Sequence, residues 1–142
     1  MASHNLAEFQ KTAQDFALGL TPLPDRATVV GLYGDLGSGK TTFVQAVAKL
    51  LGVTRSVQSP TFVIMKFYPL SVVSYKLLVH VDAYRLKSGE ELKKLGWDEL
   101  IKQPHTLILV EWANLVEDVM PKESTKLQFE FIDDKTRKIS LK

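Results

Sequence analysis

Apolar and polar residues recur with two different periods along the chain, and each period predicts a different kind of element. Apolar positions at helical spacing predict an amphipathic helix over about 6–20. The β-branched, apolar run Thr28–Tyr33 predicts a buried strand. Helical spacing returns over 42–51, and Gly52 ends that second helix. The first third of the chain therefore predicts the order helix, strand, helix.

Strand patterns dominate the rest of the chain. The runs 62–68 and 75–82 are predicted to pair as an antiparallel hairpin, and 106–110 is apolar enough for a strand buried on both faces. A terminal hairpin is predicted from 126–132 and 137–141. The whole chain, 1–142, is thus expected to form a single α/β domain, with a mixed, mostly parallel central sheet and helices on both faces.

Short helices are predicted between these later strands. Ser88–Glu91 fits a capping box ahead of apolar Leu92, with Gly96 as the helix stop. A further short helix is expected over 98–102, and another between Trp112 and the Met-Pro pair at 120–121.

The loop between the first strand and the second helix contains the most informative motif. Residues 34–41 read GDLGSGKT and fit G-x-x-x-x-G-K-[ST]. Its backbone N–H groups and the helix N-terminus can bind phosphate, Lys40 can reach β- and γ-oxygens, and the Thr41 hydroxyl can ligate Mg²⁺. The alternative is an ordinary glycine turn. The predicted phosphate-binding residues are Asp35, Leu36, Gly37, Ser38, Gly39, Lys40, Thr41 and Thr42.

Two acidic residues come directly after predicted strands. Asp82 follows the strand over 75–81, and Glu111 follows the strand over 106–110. In an open parallel sheet, ligands bind outside the carboxyl ends of the strands. A nucleotide triphosphate with Mg²⁺ needs carboxylates there, so Asp82 and Glu111 are the candidate metal and hydrolytic residues, although strand-end acids also serve as caps.

Composition excludes several classes of protein. The chain has 142 residues, 45% hydrophobic and 24% charged, which is ordinary for a globular domain. It has no cysteine, so thiolate metal sites and disulfides are excluded, and a cytoplasmic location is expected. The sequence offers no signal peptide and no bilayer-spanning run. A net charge of +2 does not by itself predict nucleic-acid binding.

Taken in order, five short motifs resemble those of the TsaE family, the ATPases of bacterial tRNA threonylcarbamoyladenosine biosynthesis. They are GDLGSGKTTF at 34–43, SPTF at 59–62, HVDAYRL at 80–86, LGWDE at 95–99 and VEW at 110–112. The resemblance implies a compact P-loop fold, weak intrinsic hydrolysis of ATP with Mg²⁺, and action on the complex of TsaD and TsaB. Contact with tRNA would then be indirect or weak, and no membrane is involved.

The resemblance also implies roles for individual residues. Thr41 and Asp82 match the residues associated with Mg²⁺, and Glu111 matches the acid needed for hydrolysis, acting on metal or water. Thr61 matches a switch-like segment whose hydroxyl senses the γ-phosphate. Trp112 matches a tryptophan near the nucleotide, and core packing is the alternative. The predicted catalytic set is therefore Glu111, Lys40 and Thr61.

Three other functions fit parts of the pattern. A small GTPase would need N-K-x-D and D-x-x-G motifs, which are absent from the sequence. A small P-loop kinase would need an arginine-rich lid, and the four arginines here are dispersed. A nucleotide-gated protein-binding module with negligible hydrolysis remains open, although the pair Asp82 and Glu111 favours hydrolysis.

Overall fold

The computed structural model describes residues 2–54, 64–71 and 75–142. The first half of the chain contains β1 (Ala2–Ser3), α1 (Leu6–Leu18), β2 (Thr28–Tyr33), α2 (Lys40–Leu50), β3 (Met65–Pro69) and β4 (Leu77–Asp82). The second half contains α3 (Gly89–Lys93), α4 (Trp97–Leu100), β5 (Thr106–Glu111), a 3₁₀ helix (Ala113–Val119), β6 (Thr125–Phe131) and β7 (Arg137–Leu141). No helix in these described ranges has the length and apolar character needed to cross a bilayer.

All seven strands join one mixed sheet in the order β1-β7-β6-β2-β5-β4-β3. The four central strands, β6, β2, β5 and β4, run parallel to one another. The outer strands β3, β7 and β1 pair antiparallel with their neighbours. The predicted fold class, α/β with a mostly parallel central sheet, is therefore confirmed, and both predicted hairpins form.

Successive side chains of the central strand β5 point to opposite faces of the sheet, and a hydrophobic core lies on each face. Leu107 and Leu109 face the core that contains α1 and α2, whereas Ile108 and Val110 face the core that contains α4 and the 3₁₀ helix. Every residue of β5 is buried. Because Glu111 follows Leu109 by two positions, its side chain lies on the α2 face of the sheet.

The parallel register brings the ends of three strands together. Glu111 of β5 is paired with Leu32 of β2 on one side and with Asp82 of β4 on the other. The loop that leaves β2 lies at the same edge, immediately before α2. The sheet therefore places both predicted acids beside the predicted phosphate loop.

Two local features differ from the sequence-based prediction. The capping box at Ser88 is wrong, because the serine side chain makes no capping bond and Glu91 accepts from the backbone of Lys87 instead. Asp118 of the 3₁₀ helix supplies the missing acceptor for Gly89 N–H at 3.0 Å. In addition, the N-terminal pair Ala2–Ser3 extends the sheet by pairing with β7, which the sequence does not predict.

Candidate functional site

The loop between β2 and α2 passes very close to strand β6. Gly34 has φ of 147°. A β-carbon at that position would lie 2.5 Å from the carbonyl oxygen of Phe129 and 2.8 Å from Ser38 Oγ. Only glycine fits there without displacing the loop. The loop then leads into Lys40, the first residue of α2, whose first-turn N–H groups have no partners within the helix.

Lys40 is folded back onto the loop that precedes it. Its ammonium donates to the carbonyl oxygen of Gly34, to that of Asp35 at 2.9 Å, and to Ser38 Oγ at 3.3 Å. The residue is buried. In a phosphate-binding loop this ammonium contacts phosphate oxygens. Here the two carbonyl oxygens accept its hydrogen bonds instead.

The charge of Lys40 is stabilised on its other side as well. Its Nζ lies 4.1 Å from the centre of the Trp112 ring, within cation–π range. Burial lowers the pKa of Lys40, and attraction from the carboxylates of Glu111, Asp35 and Asp82 opposes that shift. The site is therefore a buried cation partly balanced by three surrounding acids.

The predicted metal and hydrolytic residues are in direct contact. Thr41 Oγ1 lies 2.8 Å from Glu111 Oε1 and 3.0 Å from Oε2, so its single hydroxyl proton is shared between the two carboxylate oxygens. Glu111 Oε2 is also 2.5 Å from His80 Nε2. Glu111 is buried, and these contacts with Thr41 and His80 satisfy its carboxylate. His80 is fully buried.

Asp82 lies beside this cluster at the end of β4. It is partly exposed, and its Oδ1 accepts a hydrogen bond from the backbone of Tyr84 at 3.0 Å. That bond closes the turn after the strand and orients the carboxylate. Asp82 therefore serves as a turn residue and also lines the same cavity as Thr41 and Glu111.

Trp112 adopts a backbone conformation that is rare for an aromatic residue. Its φ is 59°, in the left-handed region, at the start of the 3₁₀ helix. Its ring packs against Tyr84 with the centroids 5.1 Å apart, and it lines the cavity. Such conformations persist where the surroundings enforce them, and they are frequent at functional sites.

A single cavity of about 670 Å³ joins these groups, a volume within the range of small-molecule sites. One end is lined by residues at and just after the carboxyl ends of β4 and β5. The other end is lined by the N-terminal segment and the region of the β6–β7 turn, and the loop and the start of α2 lie between the two ends. The lining residues at the first end are Asp82, Tyr84, Arg85, Glu111 and Trp112, and those at the second are Ser3, Asn5, Leu6, Phe9, Asp134, Lys135 and Arg137.

Most residues predicted from the sequence line this cavity. From the loop and α2 they are Leu36, Gly37, Gly39, Lys40, Thr41 and Thr42, joined by Asp82, Glu111 and Trp112. Asp35 and Ser38 belong to the loop but not to the cavity wall; Asp35 is exposed and Ser38 is buried. Thr61 and the rest of its SPTF segment lie outside the described residues. The nucleotide, metal and catalytic roles of all these residues stay predictions.

Sequence analysis missed the contribution of the terminal hairpin. Arg137 Nε donates to the carbonyl oxygen of Gly37 at 3.0 Å, which ties β7 to the phosphate loop across the fold. The Arg137 guanidinium also donates to the Asp133 carbonyl at 2.6 Å and lies over the Phe131 ring. No local motif marks an arginine for this contact, since it depends on the strand order β7-β6-β2.

The donor set at the first end of the cavity suits a hard cation that keeps part of its water shell. Among the described residues, no group of three or more His, Cys, Asp or Glu side chains forms a metal cluster. Mg²⁺ in nucleotide sites uses only one or two protein carboxylates, with phosphate and water completing its shell. Thr41, Asp82 and Glu111 therefore fit Mg²⁺ bound together with a phosphate chain, and not a metal held by protein alone.

Comparison with known proteins gives one consistent family. Residues 3–139 match the family model described as "Threonylcarbamoyl adenosine biosynthesis protein TsaE". A Bacillus subtilis (strain 168) protein named "tRNA threonylcarbamoyladenosine biosynthesis protein TsaE" is 42% identical over 112 residues, covering 79% of this chain and 67% of that protein. A Rickettsia felis protein of the same name is 33% identical over 139 residues, covering 97% and 76%.

A solved structure agrees with the family match. The crystal structure of Bacillus subtilis YdiB superposes with a TM-score of 0.78 at 33% sequence identity. The superposition covers 99% of this chain and 82% of that structure. The likeness therefore extends across the whole sheet and includes the site.

Proposed function

The chain belongs to the TsaE family of tRNA threonylcarbamoyladenosine biosynthesis, and from that premise we propose that it binds and hydrolyses ATP with Mg²⁺ in the cavity beside α2. We further propose that it does so while acting on the TsaD–TsaB complex, which the TsaE resemblance implies as its partner. The observation that carries the proposal is the contact between Thr41 and Glu111, 2.8 Å apart at the phosphate loop.

The triphosphate would lie between the loop and the strand ends. Backbone N–H groups of the loop and the N-terminus of α2 offer donors and a positive dipole end for the phosphate oxygens. Lys40 would exchange the carbonyl oxygens of Gly34 and Asp35 for β- and γ-phosphate oxygens, which are stronger acceptors for a buried ammonium. That exchange also moves the ammonium relative to the Trp112 ring.

Thr41, Asp82 and Glu111 would hold the metal. Bound Mg²⁺ supplies positive charge that offsets the charge on the phosphates during transfer. The Thr41 hydroxyl can give a lone pair to a cation while still donating its proton to Glu111, so the observed hydrogen bond is compatible with metal binding. Glu111, buried beside that hydroxyl, is the group proposed to orient the attacking water.

The nucleoside would occupy the opposite end of the cavity. Leu6 and Phe9 of α1 supply apolar surface there, and Lys135 and Arg137 of the terminal hairpin supply donors. Arg137 is already tied to Gly37, so this end is mechanically joined to the phosphate loop. The residues suit an aromatic base and a ribose, and the preference for adenine rests on the TsaE resemblance.

The proposal is tested by measuring phosphate release from ATP with and without a TsaD–TsaB complex. We expect the protein alone to release phosphate slowly and the complex to increase that rate. Lys40→Ala should release no phosphate with or without the complex. A matched control is Lys87→Ala, an exposed lysine outside the cavity. Release that is strong alone and indifferent to the complex would contradict the partner assignment. Binding without release in either condition would instead indicate a nucleotide-gated docking module.

A further inference from the structure

His80 is a buried polar residue whose ring contacts the proposed hydrolytic acid. Its side chain is fully buried in β4, and its Nε2 lies 2.5 Å from Glu111 Oε2. Its other ring nitrogen, Nδ1, has no hydrogen-bond partner among the described residues. Within the part of the chain that the structure describes, Glu111 is therefore the one hydrogen-bond partner of the His80 ring.

The sheet register explains how the contact forms. His80 is paired with Leu109, so its side chain lies on the same face as Leu109 and, two positions on, Glu111. The neighbour two positions earlier on the same face is Leu78, which is buried in the apolar core. An aliphatic residue at 80 would continue that core, and burying an imidazole there is unfavourable unless it makes a hydrogen bond.

We propose that His80 is a positioning residue for Glu111, and this inference rests on the proposed ATPase function. A carboxylate has no proton to give, so Nε2–H of His80 must be the donor to Glu111 Oε2. The Thr41 hydroxyl donates to the same carboxylate from α2. The terminal torsion of a glutamate is otherwise soft, and two donors fixed on a strand and a helix restrict the carboxylate plane.

Two other roles for His80 fit the geometry less well. A general base would have to reach a water molecule in the cavity, but His80 is fully buried, is not among the cavity residues, and has Nε2 occupied by Glu111. A purely structural residue would be replaceable by an apolar side chain of similar size. Positioning predicts instead that the donor at the Nε2 location is what matters.

Three variants separate these roles. His80→Gln keeps an N–H donor at nearly the Nε2 location, His80→Asn withdraws the amide nitrogen to the Nδ1 location, and His80→Leu removes the donor. Leu78→Ala is the matched control, since it perturbs the same buried face of β4 without touching Glu111. Each variant is assayed for thermal unfolding, ATP affinity in EDTA, and the turnover number with Mg²⁺ and the TsaD–TsaB complex.

Turnover is expected to fall about 10- to 100-fold in His80→Leu and His80→Asn, with ATP affinity in EDTA within about threefold of wild type. His80→Gln should restore turnover to within about fivefold, even if its stability equals that of His80→Leu. Equal turnover in the Leu and Gln variants at matched stability would overturn the inference. So would a loss in Leu78→Ala as large as that in His80→Leu.

An imidazole nitrogen spectrum supplies a readout that needs neither metal nor activity. In ¹⁵N-labelled, nucleotide-free protein, the His80 Nε2 proton should resonate strongly downfield and move upfield in Glu111→Gln. A signal that ignores Glu111→Gln would contradict the contact itself. A wild-type protein that releases no phosphate would refute the proposed function, whereas this spectrum would still decide whether His80 holds Glu111.

Discussion

Replacing Gly34 by alanine tests whether the phosphate loop depends on its close approach to β6. The added β-carbon would meet a backbone oxygen at 2.5 Å, and a backbone oxygen cannot rotate away as a side chain can. The φ of 147° adds strain for any L-residue. The cost is about 1–3 kcal/mol for the backbone conformation and about 1–3 kcal/mol for the overpacking, so we expect about 2–6 kcal/mol in total.

Gly96→Ala is the matched control for this prediction. Gly96 has φ of 91°, but a β-carbon there meets nothing within 4 Å, so only the conformational cost of about 1–2 kcal/mol applies. Urea denaturation with a shared m-value gives both free energies of unfolding. ATP titration calorimetry should also show at least tenfold weaker binding for Gly34→Ala, because the backbone N–H groups proposed to bind phosphate move with the loop.

The reasoning would be refuted by equal stability losses in the two variants. It would also be refuted by a Gly34→Ala protein that is destabilised as expected and yet binds ATP with wild-type affinity. The first result would mean that the loop has room for a side chain at Gly34. The second would mean that the position of the loop backbone does not control nucleotide binding.

Three further changes have defined outcomes. Lys40→Met should weaken ATP binding, measured by calorimetry, about 100-fold or more. The free energy of unfolding, measured by urea denaturation, should change by no more than about 2 kcal/mol, because the variant removes a buried cation together with its hydrogen bonds. Arg137→Gln should weaken ATP binding several-fold by freeing the Gly37 carbonyl, with exposed Lys138→Gln as a neutral control; unchanged affinity would remove the hairpin from the site. Burial raises the pKa of Glu117, but hydrogen bonds from Lys126 and Tyr33 outweigh this effect and lower the pKa overall. Ionised Glu117 therefore stabilises the fold above its unfolded pKa, and this contribution is lost as pH falls. Glu117→Gln should make the free energy of unfolding less dependent on pH in the acid range, by up to about 1 kcal/mol.

Sequence patterns predicted the parts of this molecule that depend on local spacing. The glycine loop, Lys40 and Thr41 form a continuous segment, so their placement follows from strand, turn and helix signals alone. Asp82 and Glu111 were also predictable, because parallel strands bring their carboxyl ends to one edge of a sheet. That these two residues are direct neighbours, however, depends on β4 lying beside β5, which the rule does not predict.

Contacts between distant segments were less predictable. Thr41 and Glu111 are 70 positions apart, and Arg137 is 100 positions from Gly37. Which strand lies beside which determines these contacts, and hydrophobic periodicity carries no information on strand order. The capping box at Ser88 failed for a related reason, since a side chain distant in sequence, Asp118, caps the start of α3 by accepting from Gly89 N–H.

The most direct test of the central claim compares ATP binding with ATP turnover in Glu111→Gln. The account predicts wild-type affinity for ATP within about threefold and a turnover number at least 100-fold lower, because the neutral amide keeps the size of the side chain and loses its charge. Calorimetry and phosphate release with the TsaD–TsaB complex measure the two quantities on one preparation. Turnover equal to wild type, or a loss of affinity as large as the loss of turnover, would contradict the assignment of Glu111 to the hydrolytic step.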